Sequence, residues 1–259
     1  MLLQDRVVLV TGIGPGLGRS LAVQCARHGA DIVLAARSAE RLEEVAGEIE
    51  QLGRRAVAVP TDVTDSGEVQ RLVDHAVEAL GRLDGVVNSA FEQPPMKHID
   101  DTDMTEWLHA FDINCHAAIR VTKAAIPQLR LSEHASVVFV ATMSLWLNRP
   151  NFGAYAAAKS AVAAAARTFA AELGPDGIRV NTIAPGYIWG DPVRDYLGAQ
   201  ADARGVDAQV TRDELLAQIP LRRVNTPDEI AGAAVFMLSD LARGVTGALL
   251  DVNGGQTMR

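Results

Sequence analysis

Tyr155 and Lys159 stand four residues apart in Gly153-Ala-Tyr-Ala-Ala-Ala-Lys-Ser160. On a helix that spacing places a phenol and an ammonium on one face. A fixed positive charge beside a phenol favours phenolate, so the tyrosine pKa is expected to fall from about 10 toward values at which it trades a proton with an alcohol or carbonyl oxygen. The chain has only three Tyr and three Lys, so the spacing is unlike a random coincidence and reads as an acid/base unit. A little upstream, Val137-Val-Phe-Val-Ala-Thr-Met-Ser144 reads as a strand whose end carries two hydroxyls, on Thr142 and Ser144.

Something must hold that pair against a reactant, and the rest of the chain supplies a frame. Short β-branched or apolar runs, 7–10, 31–36, 56–60, 85–88, 136–141, 179–184 and 248–252, predict seven strands. Segments of helical period fall between them, at 17–28, 39–52, 66–80, 103–130, 153–173 and 227–239. The alternation predicts an α/β fold: a doubly wound, Rossmann-type parallel sheet of seven strands with helices on both faces. One domain spanning 1–259 is expected, interrupted by a substrate-loop insertion at 187–226 that mixes Gly, Asp, Arg and aromatic residues. Thr11-Gly-Ile-Gly-Pro-Gly-Leu-Gly18 follows the first strand and opens a helix. Glycines there let backbone approach a pyrophosphate, and the N–H groups of the helix beginning near Gly16 attract its charge.

Composition narrows the function classes. A formal charge of −8 argues against nucleic acid or an anionic membrane as partner, because either needs clustered Lys and Arg. Cys25 and Cys115 fall in different helical segments and are expected as separate thiols, and the six His lack metal spacing, so no metal site is expected. The N-terminus reads straight into a strand without a leader pattern, and no run reaches the roughly 18 apolar residues of a membrane span, which leaves the cytoplasm as the expected compartment.

Thr-Gly-x-x-x-Gly-x-Gly at 11–18 together with Tyr-x-x-x-Lys at 155–159 resembles the short-chain dehydrogenase/reductase superfamily, in its compact form, over essentially the whole chain. The resemblance implies a hydride transfer between NAD(H) or NADP(H) and a ketone or secondary alcohol. It also implies roles for individual residues. Gly12, Gly14, Gly16, Leu17 and Gly18 would line the pyrophosphate, Asp62 and Val63 the adenine, and Asn88, Ser89 and Ala90 the loop after the fourth strand. Pro185, Gly186 and the backbone of Ile188 would sit beside the nicotinamide. Val245-Thr-Gly247 and Asn253-Gly-Gly255 resemble the C-terminal signature. Catalysis would fall to Asn114, Thr142, Tyr155 and Lys159, with Lys159 also bonding the nicotinamide ribose and Asn114 holding a water that links it to solvent. The family's usual serine is Thr142 here, thirteen residues before Tyr155; it keeps the hydroxyl and is assigned to orient the substrate oxygen, with Ser144 the alternative. Phe91 stands where a glycine is usual.

The end of the second strand decides between cofactors. Ala36 occupies the position where NAD-preferring relatives carry aspartate, and Arg37 follows with a guanidinium suited to a 2′-phosphate, with Ser38 beside it. NADP(H) is favoured, and NAD(H) stays open because one arginine is a modest signal. Phe91, Ser144, Trp146, Tyr187 and Trp189 are expected to line the substrate pocket, within the wider segments 91–99, 144–152 and 187–216, and to suit a hydrophobic carbonyl or alcohol. The alanine-rich helix 153–173, with 103–130, would permit close packing between copies as a dimer or tetramer. A non-catalytic dinucleotide sensor is the alternative of another class, disfavoured because the Tyr-Lys pair is intact.

Overall fold

The computed structural model describes residues 1–147 and 149–258. Asn148, inside one of the segments expected to border the pocket, lies outside the described residues. Runs of Val, Ile, Leu and Ala form parallel strands among these residues, buried except at the two edges β3 and β7: Val7–Thr11 (β1), Asp31–Ala36 (β2), Ala56–Pro60 (β3), Gly85–Asn88 (β4), Ser136–Val140 (β5), Arg179–Pro185 (β6) and Leu249–Val252 (β7). Strands covered on both faces have no solvent side, which explains why β1, β4 and β5 read as continuous apolar runs instead of alternating ones.

All pairings are parallel, in the order β3-β2-β1-β4-β5-β6-β7. The chain therefore winds outward from β1 to β3, then returns to place β4 on the other side of β1, with Thr11 level with Asn88. Crevices open at the carboxyl ends of strands where the winding reverses. Helices Leu17–Arg27 (α1), Ala39–Gln51 (α2) and Pro227–Leu238 (α9) cover one face around Leu21, Val45 and Ile230. The other face carries Ser66–Leu80 (α3), Ala117–Leu129 (α5) and Gly153–Leu173 (α6), packed through Leu72, Leu129 and Val162. Helix starts are locally encoded: Ser38 and Asp65 cap α2 and α3, and Thr226 with Glu229 closes a capping box on α9.

Two expectations need correction. The helix predicted over 103–130 is broken: Met104–Phe111 (α4) passes into a π-helical turn at Asp112–His116 before α5. The turn directs Asn114 inward, where its carboxamide bonds both backbone groups of Glu92, accepting from the N–H at 3.3 Å and donating to the carbonyl at 2.9 Å. Periodicity cannot reveal such a turn because the apolar pattern continues through it. The segment 187–226, expected as an irregular insertion, contains Asp191–Arg204 (α7) and Ala208–Ala217 (α8). These two helices bury Val193, Leu197, Leu215 and Ile219 in a small core of their own. Their charged residues dilute the apolar period, so only the i, i+4, i+8 set Val193, Leu197 and Ala201 marks α7 in the sequence.

Candidate active site

β5 ends at Val140, and the first turns of α6 pack against the short loop beyond that terminus. Lys159 is buried, 3% exposed, and its Nζ donates to the Val140 carbonyl at 3.0 Å. Tyr155, one turn earlier on the same helix, is half-buried and hydrogen-bonds with Thr142, two residues beyond the end of β5. Both groups of the predicted pair thus meet one strand terminus. The Thr142 and Ser144 hydroxyls lie 3.3 Å apart, and Thr142 Oγ1 also accepts from the Ser144 N–H at 3.2 Å. Ser144 is buried behind Thr142.

The electrostatics differ from the sequence expectation. Burial dominates both ionisable groups, pushing the Tyr155 phenol up to about 12, with the Thr142 hydrogen bond acting in the opposite sense. It pushes the Lys159 ammonium down to about 8, offset partly by Cys115. Tyr155 is therefore a protonated phenol at neutral pH, an acid in waiting instead of a phenolate, because loss of solvation outweighs the Thr142 hydrogen bond. Cys115 places the π-turn beside Lys159, but the Asn114 side chain is already committed to Glu92.

A cleft of ≈ 330 Å³ opens at the carboxyl ends of β1 to β4. Gly12, Gly14, Arg37, Ser38, Asp62, Val63 and Ala90 line it. Its glycines divide by role. Gly12 has φ +77°, and a Cβ there would lie 2.5 Å from the Ala90 backbone, so the protein itself requires glycine. A Cβ on Gly18 would strike the Gly12 carbonyl. Gly14 and Gly16, by contrast, face open space with nothing within 4 Å. The α1 N-terminus beside them has no side-chain cap, which leaves N–H groups directed at that space. A diphosphate fits such a cradle.

Other predicted residues frame the cleft. The Thr11 hydroxyl accepts from the N–H groups of Ser89 and Ala90, at 3.2 and 3.4 Å, and ties the β4 loop to β1. Asn88 donates to Thr122 at 2.9 Å and leaves its Oδ1 buried without a partner among the described residues. Hydrogen bonds from Thr64 hold the Asp62 carboxyl below the ordinary carboxylate range, and Arg37 and Arg120 add to that. Ser38 caps α2 by accepting from the Arg41 N–H. Arg37 is 76% exposed and lies 3.9 Å from Glu92 across the cleft. Leu17 heads α1.

The expected substrate residues separate. Gly186 packs against Asn253, where a Cβ would come within 2.8 Å, so Pro185-Gly186 and the C-terminal signature meet tightly. Ile188 forms a parallel bridge with Asn225. Tyr187 stacks on Tyr196 with centroids 6.1 Å apart. Trp189 is enclosed by the insertion, with Arg212 4.9 Å above its ring, and packs on the core of α7 and α8. Trp146 is 41% exposed beyond the β5 terminus. Phe91, expected at the substrate pocket, lines the cleft with Arg37 instead. Sequence reasoning covered two further residues only as members of the segments 144–152 and 91–99, without singling them out: Arg149, which reaches both Phe152 and Tyr187, and Glu92, which meets Arg37, His109 and Asn114. Neither belongs to a motif; long-range contacts alone bring them to the site.

Comparison with known proteins agrees with this architecture. A family model described as enoyl-(acyl carrier protein) reductase matches residues 12–257. L-rhamnose 1-dehydrogenase (NAD(P)(+)) of Sphingomonas sp. (strain SKA58) is 36% identical over 257 residues, covering 98% of this chain and 97% of that protein. The 7alpha-hydroxysteroid dehydrogenase of Escherichia coli (strain K12) is 30% identical over 253 residues, 98% of this chain and 94% of its own length. Among solved structures, NAD+-bound xylitol dehydrogenase superposes with a TM-score of 0.90 at 30% identity, over 98% of this chain and 99% of that one. With a doubly wound sheet, an open glycine cradle and a sequence alike from end to end, the chain belongs to the short-chain dehydrogenase/reductase superfamily.

Proposed function

We propose that this protein is an oxidoreductase that interconverts a ketone and a secondary alcohol with NADP(H), using Tyr155 and Lys159 as its proton-transfer pair. The observation that carries the reading is the convergence of Tyr155, Lys159 and Thr142 on the end of β5. Bound in the cleft, the dinucleotide supplies a hydride to a carbonyl carbon or takes one from an alcohol. Gly14, Gly16, Leu17 and the α1 N-terminus hold its diphosphate, Asp62 and Val63 its adenine, and Pro185, Gly186 and Ile188 its nicotinamide side.

Thr142 donates to the substrate oxygen and fixes the carbonyl against Tyr155. Tyr155 gives that oxygen its phenolic proton in reduction and takes it back in oxidation. Lys159 holds positive charge beside the phenol as the proton leaves, which stabilises the developing phenolate. Asn114 anchors the Glu92 backbone and so shapes the cleft wall.

Arg37 in the cleft and Ala36 in place of an acid support NADP(H). NAD(H) is the second reading, favoured by Glu92, whose carboxylate partly offsets Arg37 from 3.9 Å; both side chains are well exposed, so the offset is small. The related proteins carry NAD(P)(+) and NAD+ in their descriptions, which is compatible with either. Fluorescence titration of NADPH against NADH decides the matter. Wild type is expected to bind NADPH about 10-fold more tightly and Arg37→Asp to reverse the order; equal affinities in both proteins would remove the assignment. Association of copies through α4, α5 and α6 belongs to the same reading and is supported by Met104 and Leu108 exposed on α4 and by the small residues of α6.

A further inference from the structure

Arg149 lies in the loop between β5 and α6, partly buried. Its guanidinium sits 5.0 Å from the Tyr187 ring centroid and 5.9 Å from that of Phe152. Nη1 donates to the Tyr187 hydroxyl at 2.5 Å, and Tyr196, stacked on Tyr187, also feels the charge. An arginine presents five N–H donors, and no other side-chain or carbonyl acceptor among the described residues takes one from Arg149. No carboxylate among them pairs with it. Other shielded arginines of this acidic chain are better supplied: Arg6 pairs with Asp240, Arg54 with Asp31 and Arg120 with Asp112, and Arg179, also without a carboxylate partner, donates to four carbonyls.

A guanidinium removed from water needs hydrogen bonds and counter-charge, and aromatic faces supply only part of that. The position of this one matters. Phe152 caps α6 and stands edge-on to Tyr155, with ring centroids 6.5 Å apart. Tyr187 follows directly on Pro185-Gly186. Arg149 is therefore separated from the phenol by a single ring, at the outer end of an aromatic wall.

We infer that the substrate is an apolar ketone or secondary alcohol carrying a carboxylate remote from the reacting carbon, and that Arg149 recognises this carboxylate through its undonated N–H groups. The inference rests on the carbonyl–alcohol activity proposed above. The Phe152, Tyr187 and Tyr196 rings contact the body of the substrate, and the charge pair fixes its far end so that the carbonyl meets Thr142 and Tyr155. Arg149 is a specificity-determining residue and takes no part in proton or hydride transfer. The bland alternative is that it only clamps Tyr187 to Phe152.

The two separate in a cycle of enzyme variant against substrate charge. Two oxo acids of different length, 4-oxocyclohexanecarboxylate and 7-oxo glycochenodeoxycholic acid, are each compared with the matching neutral carboxamide. Reduction is read as kcat/KM with NADPH and with NADH, and equilibrium binding by calorimetry. Wild type is expected to prefer at least one acid over its amide by about 10-fold or more, chiefly in KM and in the dissociation constant. Arg149→Met should remove that preference while leaving the amide within about 3-fold, and Arg149→Lys should restore part of it. Equal treatment of acid and amide by wild type overturns the inference, as does a loss in Arg149→Met that falls equally on both. Binding of no probe and turnover of none, with either dinucleotide, overturns the carbonyl–alcohol reading beneath it.

Discussion

Lys159 is a buried cation whose charge is worth most where it is least comfortable. Its Nζ donates to the Val140 carbonyl at 3.0 Å, and burial lowers its pKa to about 8 from the ordinary 10.5. The ammonium is thus present below about pH 8 and lost above it, well before an exposed lysine would titrate. Tyr155, pushed up to about 12, stays protonated across that window. Carbonyl reduction should therefore hold through neutrality and decline as pH rises through about 8, with Lys159 as the group responsible. In Lys159→Arg, whose guanidinium keeps its proton, kcat/KM should be lower but should lose this alkaline decline; the pH dependence of kcat/KM for both proteins checks it. The types and spacing of these residues were legible in the sequence because a helix converts i, i+4 into adjacency. Their pKa values were not. A pairwise charge argument predicts a lowered tyrosine, whereas the extent of desolvation is set by packing from β5, α6 and the π-turn, which no local stretch encodes.

At the level of elements, the strands and most helices follow from local chemistry. Apolar runs of four to seven residues match the buried strands, and caps such as Ser38, Asp65 and Thr226 mark helix starts where they were expected. What escaped were the π-turn, which seats Asn114 on Glu92 in a separate loop, and the α7–α8 pair, whose charged residues dilute the apolar period of a core made within one segment. The carboxyl end of α9 is another. Arg179 on β6 donates to the carbonyls of Met237, Leu238, Ser239 and Ala242, and Arg6 adds a bond to Leu238 at 2.8 Å. The Met237 and Leu238 carbonyls end α9 and those of Ser239 and Ala242 belong to the turn after it; a guanidinium gives them charge-assisted bonds and suits the negative end of the helix. Arg179→Met removes four charge-assisted hydrogen bonds while leaving each carbonyl its other donor, and should cost about 2 kcal/mol of stability, read by urea denaturation with an unchanged slope. The active site is on the opposite ends of the strands, so cofactor affinity should change little.

The whole molecule sets the division of labour. One sheet places the glycine cradle at the ends of β1 to β4 and the proposed proton-transfer pair, Tyr155 and Lys159, at the end of β5, so both lie at the carboxyl ends of the strands. No helix among the described residues is long and apolar enough to cross a membrane. Exposed Met104 and Leu108, together with the alanine face of α6, should be covered by another copy of the chain; sedimentation velocity should give a dimer or tetramer, and Leu108→Glu should shift it toward monomer. A monomer at micromolar concentration would remove that expectation without touching the chemistry.

The most direct test of the chemistry is single-turnover reduction of an oxo acid by Tyr155→Phe, with NADPH binding followed in the same samples. The substitution removes one oxygen and leaves the ring that packs on Phe152. The account predicts unchanged dinucleotide affinity and a rate of hydride transfer lower by about 10²–10⁴-fold, the scale of a lost general acid. A Tyr155→Phe protein that reduces the carbonyl as fast as wild type would contradict it.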